Sequence, residues 1–77
     1  PQKSYDRNLF TKLRELRKKI ADGEDIAPYI VFNDATLSEL ARLKPKTSRQ
    51  MLNVSGIGDV KLARYGQPFM ALIKEHT

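Results

Sequence analysis

A tyrosine sits inside a run of large apolar residues, Pro28-Tyr29-Ile30-Val31-Phe32, in a chain of 77 residues that carries 14 Lys and Arg against 9 Asp and Glu. Four bulky side chains in a row cannot all face one small core, because a single helical turn directs them around its axis. Tyr29 is the least costly of them to leave in water: its hydroxyl keeps its hydrogen bonds while the ring stays available. An exposed ring among cations is the chemistry of a single-stranded nucleic-acid site, in which the ring stacks on a base and the cations neutralise phosphates.

Two groups of cations could serve such a site. Arg7, Arg14 and Lys18 follow at spacings of seven and four, which places them on one helix face as a solvent-facing stripe. Lys12, Arg17 and Lys19 flank it, and Glu15 alone interrupts this half of the helix. A merely solvated helix would interleave more glutamate at i, i+4. The second group is Lys61 and Arg64, just after Gly56-Ile57-Gly58. Glycines there permit positive φ and close approach of a partner. The amides of Gly58, Asp59 and Val60 would then be open donors at a helix N-terminus, suited to a phosphate, as in a helix-hairpin-helix element. Two plainer readings stay open: a glycine-assisted interhelical turn with Asp59 as N-cap, and ordinary solubilising charge.

Catalysis finds no support. There is no Gly-x-x-x-x-Gly-Lys-Ser/Thr phosphate loop, no Gly-x-Ser-x-Gly elbow and no cysteine. The single histidine, His76, falls where a chain end would fray and is a poor place for a base or a metal ligand. Asp34 and Asp59 read as helix caps, and Glu24-Asp25 as solvated loop acidity. No metal and no cofactor is expected.

The elements that position these residues are helical. Leu9, Leu13, Leu16 and Ile20 share one face, widened by Phe10. This predicts a helix over Ser4 to Asp22, capped by Ser4, with Asp6 in its first turn and Gly23 at its end. Tyr5 could staple its start. Pro28 to Phe32 reads as a short helical turn opened by proline. Asp34 would cap a third helix to about Leu43, with Leu37, Leu40, Ala41 and Leu43 inward and Thr36 with Glu39 as a second possible capping box. Thr47 and Gln50 form a capping box for a short helix to about Asn53, with Met51 and Leu52 inward. The last helix begins near Asp59 and runs toward His76, buries Leu62, Tyr65, Phe69, Leu72 and Ile73, and continues past Pro68. No segment alternates with period two, so the class is all-α: a compact orthogonal bundle of about five helices, forming one domain over 1–77 with a linker at residues 1–3.

A chain of this size has a thin core. The net charge of +5 and pI near 9.8 favour a polyanionic partner without proving one. No stretch approaches the length of a membrane span and no signal peptide is seen, so the cytoplasm, or nucleoid, is the expectation.

Three segments in order, Tyr29-Ile30-Val31-Phe32-Asn33-Asp34-Ala35-Thr36-Leu37, Leu52-Asn53-Val54-Ser55-Gly56-Ile57-Gly58, and Lys61-Leu62-x-x-Tyr65-Gly66, resemble an HRDC domain (helicase and RNase D C-terminal). The resemblance spans about residues 5 to 75 and is nearest the version found in bacterial RecQ DNA helicases. It implies an all-helical, non-catalytic accessory domain that binds single-stranded or partly single-stranded DNA and tunes which DNA structures a parent helicase of repair and recombination engages. The ATPase motor would lie in upstream domains of the same polypeptide. It also implies that Tyr29 contacts single-stranded DNA, with Lys61 a weaker correspondence. The alternatives are a protein-interaction module that tethers the helicase core, and an RNA-binding module of an RNase D-like protein.

Overall fold

The four-residue spacing that begins at Leu9 builds the longest apolar face of the molecule, and the chain folds around it. The computed structural model describes residues 4–76. They form five helices: α1 (Arg7–Glu24), α2 (Pro28–Val31), α3 (Asp34–Leu43), α4 (Ser48–Leu52) and α5 (Asp59–His76). The expected all-α bundle is what forms, without strands among the described residues. The expected linker at residues 1–3 lies outside them. No helix among the described residues is long and apolar enough to cross a membrane.

Leu9 and Leu13 are fully buried, with Phe10, Leu16 and Ile20 packed at the core's edge. Ala21 from α1, Val31 from α2 with Phe32 just after it, Leu37, Leu40 and Ala41 from α3, Met51 from α4, Val54 and Ile57 from the following turn, and Tyr65, Phe69, Met70 and Ile73 from α5 complete it. Each full burial of a Leu, Phe, Ile, Val or Met side chain contributes about 1.5–3 kcal/mol. Phe32 is the aromatic centre: its ring meets Phe69 edge-on at 4.9 Å and Tyr65 at 6.1 Å. Leu43 and Leu52, expected inward, are half-exposed because each closes its helix on the outer side of the last turn. Pro68 lies within α5 without ending it, as the unbroken apolar period required.

Several helix ends differ from expectation. Asp6, rather than Ser4, caps α1 and accepts from the Leu9 amide at 3.0 Å. Gly23 is inside α1, and the helix stops at Asp25, whose φ of 57° is left-handed. The Ile26 amide reaches the Ala21 carbonyl and the Asp25 amide that of Asp22, a Schellman closure that Asp tolerates better than most residues. Asn33 caps α3 by accepting from the Thr36 amide, which displaces Asp34 into the first turn. Thr36 is no capping-box residue: it is buried and its hydroxyl donates to the Ser55 carbonyl at 3.0 Å. Glu39 instead pairs with Arg42. Thr47 caps α4 as expected, while the Gln50 side chain accepts from the Lys46 amide.

One end of the bundle is tied by charge. Asp6 accepts from His76 Nε2 at 2.9 Å and lies 3.4 Å from Lys44 Nζ. His76 is therefore a tether between the end of α5 and the start of α1, not a fraying residue. The Leu9 amide first, then His76 and to a lesser degree Lys44, pull the Asp6 carboxyl down to about 2 from 3.8. A lowered folded-state pKa stabilises above the unfolded value and is lost as pH falls through the folded one. Asp6→Asn should thus be less stable than wild type at neutral pH. The gap, read by urea unfolding across a pH series, should begin to close below pH 3.8 and vanish below about 2.

The α4–α5 turn depends on one glycine. Gly56 has φ of +93°, and a Cβ there would overlap the Thr36 hydroxyl. Gly58 has neither constraint, since a Cβ would meet open space. Gly56→Ala should cost about 1–3 kcal/mol, whereas Gly58→Ala should change thermal stability little.

Candidate nucleic-acid interface

Pro28 opens α2 at its first position, with fixed φ and no orphaned amide. One turn is all the segment needs, because Val31 and Phe32 are fully buried and pin its far end. The remaining two side chains face outward: Tyr29 is 68% exposed and Ile30 45%. Tyr29 matches the expectation. Ile30 is half-exposed as well, because it stands one helical step, about 100°, from the inward Val31.

What fixes α2 is Arg17. This residue, expected to flank the solvent stripe, is 92% buried, being only 8% exposed. Its Nη1 donates to the Phe32 carbonyl at 3.0 Å and to Asp34 Oδ1 at 2.8 Å. One guanidinium thus holds the end of α2 and the start of α3 against α1. The signal was present in the spacing: Arg17 stands four residues after Leu13 and four before Ala21, in phase with the core. Its charge masked it.

The two cation groups separate in space. Lys61 Nζ lies 6.0 Å from the centre of the Phe32 ring, beside the end of α2. Arg64, one turn on, reaches Glu24 Oε1 at 3.3 Å, at the end of α1 just before the α2 loop. Its guanidinium carbon is 5.4 Å over the Tyr65 ring. Tyr65 is core, as expected, and its hydroxyl donates to the same Glu24 oxygen at 3.2 Å. Burial, then this hydrogen bond, raise its phenol above the ordinary value, with Arg64 opposing. Glu24, expected to be a solvated loop acid, is thus a shared acceptor. Lys61 thus lies beside Phe32, the residue that follows the Tyr29 turn, and Arg64 beside the end of α1 that precedes it, while Gly58 stands just before the turn of α5 that carries Lys61.

The stripe on α1 behaves differently. Arg7 packs on the Tyr5 ring at 5.8 Å and Arg14 folds back over Phe10 at 5.8 Å, with Tyr5 and Phe10 themselves 5.3 Å apart. Both cations belong to an aromatic ladder at the start of α1. Arg7 is ten residues, about 15 Å, from the level of Arg17. Lys18 stands at that level but pairs with Asp22 at 2.9 Å. Gly56 is exposed, but its positive φ and its close approach to Thr36 serve the turn. Among the described residues no cluster of His, Asp or Glu could hold a metal ion.

Comparison with known proteins adds a lineage to this geometry. A family model described as the HRDC domain matches residues 6–73. The ATP-dependent DNA helicase RecQ of Haemophilus influenzae is 60% identical over 73 residues, 95% of this chain and 12% of that protein. The ATP-dependent DNA helicase RecQ of Pasteurella multocida is 54% identical over 72 residues, 94% of this chain and 11% of that protein. Among solved structures, D. radiodurans RecQ HRDC domain 3 matches with a TM-score of 0.89 at 30% identity, covering 95% of this chain and 96% of that one. The chain thus spans only 11–12% of the length of these two curated relatives.

Loss of the Arg17 clamp should loosen α2 before the rest of the bundle. Arg17→Leu leaves the Phe32 carbonyl without this donor and should cost about 1–3 kcal/mol. Amide exchange should accelerate at Ile30, whose amide bonds to Ala27, more than in the middle of α5.

Proposed function

This chain belongs to the HRDC domain family, and on that premise we propose that it is a single-stranded DNA-binding accessory module of a longer RecQ-type helicase. In this reading residues 1–77 act as one monomeric domain in the bacterial cytoplasm, at the nucleoid. The domain performs no chemistry; the ATP-driven motor lies elsewhere in the polypeptide. Its contribution is to hold exposed single strands and so bias which DNA structures the motor engages.

The observation that carries this reading is the exposed Tyr29 ring on a turn whose Phe32 lies under Lys61. Tyr29 stacks on one base. Lys61 and Arg64 neutralise adjacent phosphates, and the amide end of α5 at Gly58 gives a further anion contact. Arg7, Arg14 and Lys18 add to the long-range field that attracts the polyanion rather than to direct contact, because Arg7 and Arg14 lie on α1 toward the end away from Glu24 and Lys18 is paired with Asp22 on the exposed side of α1. Gly56 contributes indirectly, by shaping the turn that presents Gly58. Such a surface reads no sequence: a π-face and point charges accept any base. Binding should be modest in strength and fall with salt.

Fluorescence anisotropy with a labelled oligonucleotide at two salt concentrations tests this. Tyr29→Ala should leave folding intact, since the ring is largely in solvent, and lose about 1–3 kcal/mol of binding. Lys61→Ala should lower the salt slope by ~0.7 on single strands, and Arg7→Ala should leave that slope nearly unchanged. No binding at low salt, or a folded Tyr29→Ala that binds like wild type, would contradict the reading and favour a protein-tethering surface. Tighter binding to a matched RNA strand would favour an RNA-processing role.

A further inference from the structure

We infer that Glu24 limits the affinity of this surface, its carboxylate competing with incoming phosphate for the Arg64 guanidinium. The inference rests on the DNA-binding reading and adds a residue of the wrong charge for a DNA site. Glu24 closes α1, four residues before Pro28, and so lies at the same end of the bundle as α2. Its carboxylate is held there: Oε1 accepts from the Tyr65 hydroxyl at 3.2 Å, and Tyr65 is anchored in the core. The same oxygen takes Arg64 Nη2 at 3.3 Å.

The Arg64 bond has the features of an exchangeable contact. It is long, runs through a single nitrogen, and joins side chains that are 61% and 40% exposed. Pairs of this kind are weak because water and salt screen them. A phosphate offers the guanidinium a shorter, two-pronged, charge-assisted alternative. The cation need not travel to take it, since it already rests over the Tyr65 ring. Lys61 differs: it packs over the uncharged Phe32 ring. The surface therefore carries one cation ready for phosphate and one held by an internal competitor. DNA gains the full Arg64 fork by displacing Glu24 from Nη2, and the displaced carboxylate stays close to the bound strand, where it repels it. Such an arrangement keeps an accessory domain from holding its strand too tightly while a motor moves it.

Glu24→Gln isolates the charge. The amide oxygen still accepts from Tyr65 and Arg64, so packing is preserved, and thermal melting checks this. If the wild-type chain binds a labelled single strand at low salt, Glu24→Gln should bind roughly two- to fivefold tighter, the scale of one exposed ion pair. The gain should shrink as ionic strength rises, and the salt slope should steepen by up to ~0.7. In an Arg64→Ala background the same substitution should give much less. Equal or weaker binding by folded Glu24→Gln would overturn the inference while leaving the DNA-binding reading standing. So would an equal gain with and without Arg64, which would mark simple repulsion. Failure of wild type to bind at low salt would instead remove the DNA-binding reading, and this inference with it.

Discussion

The buried guanidinium of Arg17 is the contact on which the rest of the structure depends. A four-residue helix cannot hold itself: nucleation costs more than one turn of hydrogen bonds returns. α2 exists because Val31 at its end and Phe32 just after it are fixed in the core, and the Phe32 carbonyl is held from α1. The same nitrogen reaches Asp34, which sets where α3 begins. Asp34 faces solvent on its outer side, so the pair is only partly desolvated, and Arg17 Nε remains buried without a partner. The clamp is thus no large source of net stability. It specifies how the short turn sits, and thereby which two side chains point outward.

From that constraint the surface follows. With Val31 turned inward, Tyr29, two residues earlier and about 200° round the turn, points outward. Antiparallel packing of α1 and α5 then brings Glu24, at the end of one, to Arg64 and Tyr65, near the start of the other. The opposite end is closed by Asp6, His76 and Lys44. Charge is therefore divided by position. One end of the bundle uses ion pairs to join three helices, and the other carries the exposed Tyr29, Lys61 over Phe32 and the looser Arg64–Glu24 pair. Net charge of +5 says nothing of this division; placement does.

Much of the fold was legible in the sequence because the apolar period carries it. The five helices, the proline-opened turn, the uninterrupted passage through Pro68 and the burial of Tyr65 all follow from spacing. Helix ends were read less well, since Ser4 and Asp6, or Asn33 and Asp34, are equally good caps on composition and the choice is made by tertiary contacts. Gly23 misled because glycine is the usual terminator, whereas the chain closes α1 with a left-handed aspartate. Arg17 was missed for the opposite reason: its spacing was correct for the core and its charge argued otherwise. For the site, the exposure of Tyr29 was legible from crowding within one turn. Which cations flank the turn was not, because Lys61 and Arg64 are more than thirty residues away in sequence and reach Phe32 and Glu24 only through the packing of α5 on α1 and against the Phe32 ring. Nor could sequence show that Arg7 and Arg14 are engaged with Tyr5 and Phe10.

If the α2 turn and the first turns of α5 form one DNA-contacting surface that leaves out the start of α1, a chemical-shift perturbation map of the isotope-labelled chain with a short single-stranded oligonucleotide should show it. The largest shifts should fall on Tyr29, Ile30, Gly58, Lys61 and Arg64, with Arg7 and Arg14 nearly unmoved. Shifts centred on Arg7 and Arg14, or none at low salt, would place the surface elsewhere or remove it.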